Sequence, residues 1–243
     1  MTLVSTTLPQ DAIDEVFPRP PLREVAFEIR FAPRLRVNAE LWKIQEEILA
    51  EYPIVGSETL LPQNGGAVTI NVFQNPRSAR ALKVSQENFL VAFTKYTRFE
   101  DFKDEVIVRT KQFCEKFNVS NLLRVGLRYV NNIVVPVSEN ASSLLRYVRP
   151  LIDLERIQID GVDQFVTEVR MREKGHLVTL RGTLLAPLDD GRRVYVLDID
   201  CHSRAPHSAE ELPRLLDDYH QNAQLFFLDH ITEEYKNVMR GKS

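Results

Sequence analysis

Hydrophobic and polar residues alternate in two segments of the chain that lie 100 positions apart. In the first segment, Val25, Phe27 and Ile29 alternate with Glu24 and Glu28. The second segment, residues 122–135, shows the same alternation, with Val125, Leu127 and Tyr129 on one side and Arg124 and Arg128 on the other. A two-residue period is typical of a β-strand with one buried face. The sequence therefore predicts two half-buried strands.

Turn residues and helical spacing predict the remaining elements. In the first half, Asn38 is expected to cap a helix that stops before Pro53, and three strands are expected at 67–73, 79–84 and 89–96. A helix at about 101–117 follows. In the second half, a helix is expected to begin at Asn140, followed by strands at about 163–172, 176–186 and 192–202 and a long helix from about 208 to 239.

The order of these elements predicts an α+β fold with an internal duplication. Each half has the order β-α-β-β-β-α, and we expect the two halves to share a curved antiparallel sheet with helices on one face. The predicted units are an extended proline-rich arm at 1–20, a first half at 21–119 and a second half at 120–243. This element order resembles the saddle of TATA-box-binding proteins and the helix-grip folds, and that similarity implies no function.

Composition narrows the class of protein. The net charge is −3, so sequence-independent nucleic-acid binding is not favoured. No stretch of about 20 apolar residues is present, and the first 17 residues lack the basic and apolar regions of a signal peptide. Cys114 and Cys201 are interpreted as reduced, partly buried thiols. These features predict a cytoplasmic protein that has no membrane partner.

Three segments carry a resemblance to a family of bacterial proteins. They are Pro20-Pro21-Leu22-Arg23-Glu24, the octapeptide Arg124-Val125-Gly126-Leu127-Arg128-Tyr129-Val130-Asn131, and the tail Leu215…His220…Phe227…Ile231-Thr232. Together they look like a sporadically distributed family of uncharacterised proteins of about this length. The resemblance implies a bacterial, cytoplasmic protein associated with mobile or defence-type genes. It implies no catalytic residue.

Motifs for catalysis or cofactor binding are missing from the sequence. With only 9 glycines, the chain has no phosphate-binding loop, dinucleotide fingerprint or nucleophile elbow, and we expect no cofactor. The triplet Asp198-x-Asp200-x-His202 is the best metal candidate, but a straight row on a strand cannot surround one ion, so no metal site is predicted. His220, with Asp217 and Gln224 on the same helix face, is interpreted as a structural or surface histidine.

Charged residues fall on the face of the predicted sheet opposite the core. Arginine binds carboxylate or phosphate with two parallel hydrogen bonds, so a concave charged sheet is a candidate binding surface. The alternative is a solvated face with cross-strand ion pairs. Neighbouring positions on this face include Glu24, Glu168, Thr179 and Thr183. The predicted binding residues are Glu28, Arg124, Arg128, Arg170, Arg181, Asp198 and Asp200.

Two functions from different classes remain open on the sequence alone. The first is a non-enzymatic interaction or regulatory protein that binds another protein, or a second copy of itself, through the charged sheet face and the N-terminal arm. The second is a small-molecule-binding protein or enzyme with a cavity between the sheet and the long C-terminal helix. Candidate rings for that cavity are Phe93, Tyr96, Tyr129, Tyr195, Phe226 and Phe227. DNA binding by the saddle is the least favoured option because of the acidic balance.

Overall fold

The computed structural model describes residues 15–60, 67–96, 98–135, 141–152, 162–173 and 175–242. Its strands are β1 (Leu22–Phe31), β2 (Ile54–Leu60), β3 (Val68–Asn75), β4 (Arg80–Val84), β5 (Asn88–Phe93), β6 (Leu122–Val135), β7 (Phe165–Glu173), β8 (His176–Leu184) and β9 (Arg193–Ser203). Its α-helices are α1 (Leu35–Ala39), α2 (Leu41–Ile48), α3 (Phe99–Phe117), α4 (Leu212–His230) and α5 (Glu233–Met239). Short 3₁₀ helices lie at Ala141–Arg146 and Ala209–Glu211.

All nine strands form one antiparallel sheet, in the order β2-β3-β4-β5-β1-β6-β9-β8-β7. The two strands that showed the clearest alternation, β1 and β6, lie side by side at its centre. In their register Phe27 is opposite Leu127, and Ile29 is opposite Val125. The predicted α+β fold with an antiparallel sheet is confirmed.

The core lies on one face of this sheet. Phe27, Val125 and Leu127 are completely buried, and Tyr129 is nearly so. Helix α4 contacts β6 and β9, while α3 contacts β5 and α4. The prediction that Val125, Leu127 and Tyr129 point into the core is confirmed, because apolar side chains on one face of both strands leave water together.

Both cysteines belong to this core. Cys114 on α3 and Cys201 on β9 are free and buried. Burial raises the pKa of each thiol to about 12, because a thiolate is poorly solvated away from water. Both were predicted to be reduced and only partly buried; both are free thiols, and they are more deeply buried than predicted. No helix in the described ranges is long and apolar enough to cross a bilayer.

The first half differs from the prediction at its first helix. Asn38 does not cap a helix; it lies inside α1, which begins after the extended residue Arg34. The chain then forms α2 and an additional strand, β2, before the three expected strands. Residues 54–59 of β2 are all exposed, so this edge strand lacks the apolar alternation by which strands were predicted.

The second half differs at both of its helices. Asn140 lies outside the described residues, and a six-residue 3₁₀ helix at Ala141–Arg146 takes the place of the predicted helix. The long helix is interrupted between α4 and α5. Ile231 is extended and pairs with Val148, and the Thr232 hydroxyl accepts a hydrogen bond from the amide of Tyr235, which caps a new helix.

Gly182 on β8 allows close contact with β9, which gives a test of the packing. A Cβ atom at Gly182 would lie 2.0 Å from the hydroxyl of Tyr195, a fully buried side chain. We expect Gly182→Ala to lower the free energy of unfolding by about 1–3 kcal/mol, as overpacked cores do. At Gly56 a Cβ atom would meet nothing within 4 Å, so Gly56→Ala should change stability by less than about 0.5 kcal/mol. Urea denaturation measures both, and equal effects would contradict the packing described here.

Candidate functional site

The seven predicted binding residues lie on the sheet face opposite the core, which we call the charged face. Five adjacent strands contribute to it: β1, β6, β9, β8 and β7. Strand pairing places Arg128 opposite Asp200, Thr179 opposite Asp200 on the other side, and Arg181 opposite Glu168. The sheet therefore brings together residues that are up to about 170 positions apart in sequence, namely Glu28 and Asp200.

Arg124 is the centre of the buried part of the charged face. Its guanidinium donates to Glu28 Oε2 at 2.6 Å and to Asp200 Oδ2 at 2.8 Å, and only 17% of the side chain is exposed. A Cβ atom at Gly126 would lie 2.6 Å from Arg124 Nη1, so the guanidinium lies over the space that the absence of a side chain at Gly126 leaves. Burial alone would raise the pKa of Asp200, but contacts with His202 and Arg124 lower it overall.

A second ion pair joins β6 to β9 farther along the charged face. Arg128 Nε and Nη2 each donate to one oxygen of Asp198, both at 2.8 Å. Asp198 is buried, whereas 47% of the Arg128 side chain is exposed. The hydrogen bond to Asp198 raises the pKa of Arg128. Arg128 therefore lies opposite the core, as the alternation predicted.

Two adjoining grooves run along the charged face, with volumes of about 790 and 340 Å³. Their arginines are largely paired within the protein, since Arg170 and Arg181 both contact Glu168. The carboxylates of the triplet Asp198-x-Asp200-x-His202, for which no metal site was predicted, are engaged by Arg128 and Arg124. Within the described part of the chain, no group of three or more acidic, histidine or cysteine side chains is placed to hold a metal ion.

A second candidate site is a cavity of about 400 Å³ on the helix side of the sheet, which we call the aromatic cavity. It lies between α4, strands β6 and β9, the start of α3 and the N-terminal segment 15–22. Six rings line it: Phe17, Tyr96, Phe99, Tyr129, His220 and Phe227. It thus occupies the predicted place, between the sheet and the long C-terminal helix.

Three of the six rings proposed for such a cavity do line it, namely Tyr96, Tyr129 and Phe227. The other three do not. Phe93 packs edge-on against Phe102 at 5.0 Å between ring centres, and the ring of Tyr195 lies 6.3 Å from that of Phe165. Phe226 is one position from Phe227 on α4 and so points in a different direction from the helix axis.

His220 binds across to the sheet and packs against the start of α3. Its Nδ1 atom is 2.8 Å from the hydroxyl of Tyr129, and its ring stacks on Phe99 with 3.8 Å between centres and 10° between planes. The sequence left a structural or a surface role open for His220, and these contacts favour the structural one. The partners lie on β6 and α3, so spacing along α4 gave no signal of them.

The polar groups in the depth of the aromatic cavity are uncharged at neutral pH. Burial lowers the pKa of His220 to about 4, against opposing effects of Glu100 and Asp217. Burial raises the pKa of Tyr96 to about 12 and that of Tyr129 well above its ordinary value. Tyr129 and His220 therefore form a hydrogen bond between two neutral groups, which can orient a ligand or relay a proton along its length.

The N-terminal segment 15–22 forms one wall of the aromatic cavity, and hydrogen bonds join it to the end of the chain at and just after α5. Both oxygens of Glu15 accept hydrogen bonds from Arg240, at 2.6 and 2.7 Å, and the Arg240 guanidinium lies 5.8 Å from the Phe17 ring. The amide of Arg19 donates to the Met239 carbonyl at 3.1 Å. Of the predicted arm, only residues from 15 onward are described, and these pack along the protein surface.

A third cluster, Ser203–His207–Glu211, has the atom order of a hydrolase triad. Ser203 Oγ is 2.9 Å from His207 Nε2, and His207 Nδ1 is 3.3 Å from Glu211 Oε1. However, Ser203 is buried, and its hydroxyl accepts a hydrogen bond from the Ala205 amide at 3.1 Å. None of the three lines a cavity or groove described above. The cluster therefore braces the connection between β9 and α4.

Comparison with known proteins adds no family to this description. No protein-family model matches the chain, and no curated protein matches it. The fold and the two sites define its class as an α+β protein with a nine-stranded antiparallel sheet, charged on one face and covered by α3 and α4 on the other.

The depressed pKa of His220 predicts a pH-dependent stability. The unfolded chain takes up a proton at this histidine near pH 6.5, whereas the folded protein does so only near pH 4. The free energy of unfolding should therefore fall by up to about 3 kcal/mol from pH 6.5 to 4. His220→Gln should remove this part of the decline, as measured by urea denaturation across that range. The wild type and the variant share the other histidines. If the free energy of unfolding fell equally with pH in both proteins, this would contradict the burial of a neutral His220.

Proposed function

We propose that the chain is a small-molecule-binding protein and that the aromatic cavity is its ligand site. The observation that carries this proposal is the Tyr129–His220 hydrogen bond, made between neutral, largely buried groups at the wall of a cavity of about 400 Å³. Ligand sites are typically concave and mostly apolar, with a few polar groups that fix the orientation of the ligand. Groups with strongly shifted pKa values also concentrate at functional sites.

The charged face supports ligand binding less well than the cavity does. Its most buried arginine, Arg124, already donates to two carboxylates, and Arg128 donates to both oxygens of Asp198. A small ligand would have to break these charge-assisted bonds before it gained its own. In the aromatic cavity the space is already open, so binding requires only the displacement of water.

The residues that line the cavity are suited to ligand binding and not to covalent catalysis. Among the described residues that line it there is no serine, cysteine or lysine to act as a nucleophile. The two carboxylates at its rim, Glu15 and Glu100, lie at exposed or partly exposed positions, and Glu15 is bound by Arg240. Tyr129 and His220 therefore act here as orienting groups.

Two adjacent phenylalanines give a matched test of this proposal. Phe227 lines the cavity and Phe226 does not, although both are partly buried on α4. Phe227→Ala should weaken ligand retention at least tenfold, whereas Phe226→Ala should leave it unchanged at a comparable cost in stability. Native mass spectrometry of protein purified gently from its host measures retention. Equal retention in both variants would remove the cavity from the functional account.

We also propose a second function, an interaction or regulatory role of the charged face toward another protein or a second copy of the chain. The groove of about 790 Å³ supports it, since it extends across β1, β6, β7, β8 and β9. Its mixed charges suit a protein partner, because complementary charges set register and specificity at interfaces. A cytoplasmic role linked to mobile or defence-type bacterial genes belongs to this proposal, on the strength of the sequence resemblance alone.

The internal duplication and the saddle or helix-grip form are part of the same proposal. The pairing of β1 with β6 at the centre of the sheet supports it, as does the run of antiparallel strands outward on each side, β5-β4-β3 and β9-β8-β7. Edge strand β2 has no counterpart in the described part of the second half. A duplicated chain would present two related surfaces around the central strand pair.

Charge reversal at exposed positions tests the interaction proposal. Arg170 and Arg181 are well exposed, with 72% and 46% of their side chains accessible, so the double variant Arg170→Glu/Arg181→Glu should move the melting temperature by only a few degrees. It should reduce partner recovery in a pull-down, or self-association in sedimentation, at least tenfold. Arg146→Glu, at an exposed arginine paired with Glu234 outside the grooves, is the control. Unchanged association in the double variant would count against the charged face.

A further inference from the structure

We infer that the aromatic cavity takes an uncharged, planar heteroaromatic molecule with a hydrogen-bonding edge, of the size of a nucleobase. This inference rests on the proposed function, since it names the chemical class of the ligand for the same site. It follows from three properties of the described residues that line the cavity: where the charges lie, how the rings are arranged, and which polar atoms face inward from buried positions.

The charges of the lining lie at the mouth of the cavity and are mostly paired. Arg98 is exposed and pairs with Asp101, and Glu15 is held by Arg240. The polar pair at the wall, partly buried His220 and buried Tyr129, is neutral at pH 7, because burial lowers the pKa of His220 to about 4 and raises that of Tyr129. The charged lining residues Arg98 and Glu100 are exposed, so an ionised group carried past them would lose its hydration beside neutral groups. The buried part of the ligand is therefore uncharged.

The rings of the cavity favour a flat partner. Phe99 and His220 form a stacked pair, and the ring of Tyr96 meets that of Tyr129 edge-on, at 89° with 6.2 Å between centres. Pro20, Pro21 and Leu22 complete the apolar wall on the side of the N-terminal segment. Aromatic side chains bind other rings through offset stacking and edge contacts, so a planar molecule satisfies more of this lining than a flexible chain does.

Two polar residues in the lining, Asn131 and Tyr129, favour a ligand that can form hydrogen bonds over a plain hydrocarbon. Asn131 is 5% exposed and lines the cavity; its amide nitrogen donates to the Leu197 carbonyl at 3.3 Å, and its side-chain oxygen is by its chemistry an acceptor. The Tyr129 hydroxyl, bound to His220, is a second polar atom on the same strand. A ring bearing N–H groups or ring nitrogens along one edge can hydrogen-bond to both residues, whereas a ring without them places apolar atoms against polar ones.

Four probes of similar size separate the possible classes of ligand. Adenine is uncharged and planar with a polar edge, indole is planar with a single N–H, and benzoate and benzylamine carry opposite charges. Equilibrium dialysis against the full chain, after bound molecules have been removed, measures their affinities. We expect adenine to bind at least tenfold more tightly than either charged probe. Tyr129→Phe should weaken adenine binding about five- to tenfold, the effect of one lost hydrogen bond, and should affect indole less.

Two variants and the dye Nile red distinguish a wrong ligand class from a wrong ligand site. Phe227→Ala should weaken both uncharged probes and Phe226→Ala neither, with thermal melts to confirm that each variant is folded. If a charged probe binds as tightly as adenine, or if only the uncharged dye Nile red binds, the ligand class is wrong and the proposed function stands. If neither the four probes nor the dye bind the wild-type protein, the ligand class and the proposed function both fail.

Discussion

The structure depends on one pairing, that of β1 with β6 at the centre of the sheet. Phe27 lies opposite Leu127, and both are fully buried. A slip of one residue in this register would turn Arg124 and Arg128 into the core and its apolar residues into water. The same register decides which side chains of β6 lie on each face of the sheet. Odd-numbered Tyr129 faces the aromatic cavity, while even-numbered Arg124 and Arg128 face the grooves. Both sites are therefore consequences of a single alignment of two strands.

Elements with strong apolar periodicity were the ones that the sequence could predict. Strand β6 begins and ends where its alternation does, at 122 and 135, and α3 was displaced by only two residues at its start. Edge strand β2 was missed because it pairs through its backbone and buries few side chains. The break between α4 and α5 was missed because the apolar spacing continues across it; the break arises from the Thr232 cap and from contact with Val148.

The two candidate sites differ in how far the sequence could reveal them. The charged face follows from residue parity along each strand, so its members were predictable, although their pairing required the strand order. The aromatic cavity joins residues from distant segments: His220 meets Tyr129 across 91 positions of sequence. A histidine on an amphipathic helix gives no sign of which strand it will meet. Spacing within α4 therefore suggested Asp217 and Gln224 instead, the only neighbours that local geometry provides.

The Glu15–Arg240 contact joins residues 225 positions apart and closes one wall of the aromatic cavity. A ribosome releases the chain from its N-terminus, so segment 15–22 is available long before its anchor on α5 has been made. Until residue 240 has been translated, the rings of the cavity have no cover from Arg240 and its helix. His220 and Phe227, which line the same cavity, are also translated shortly before residue 240, so the site is complete only after nearly all of residues 15–240 have been synthesised.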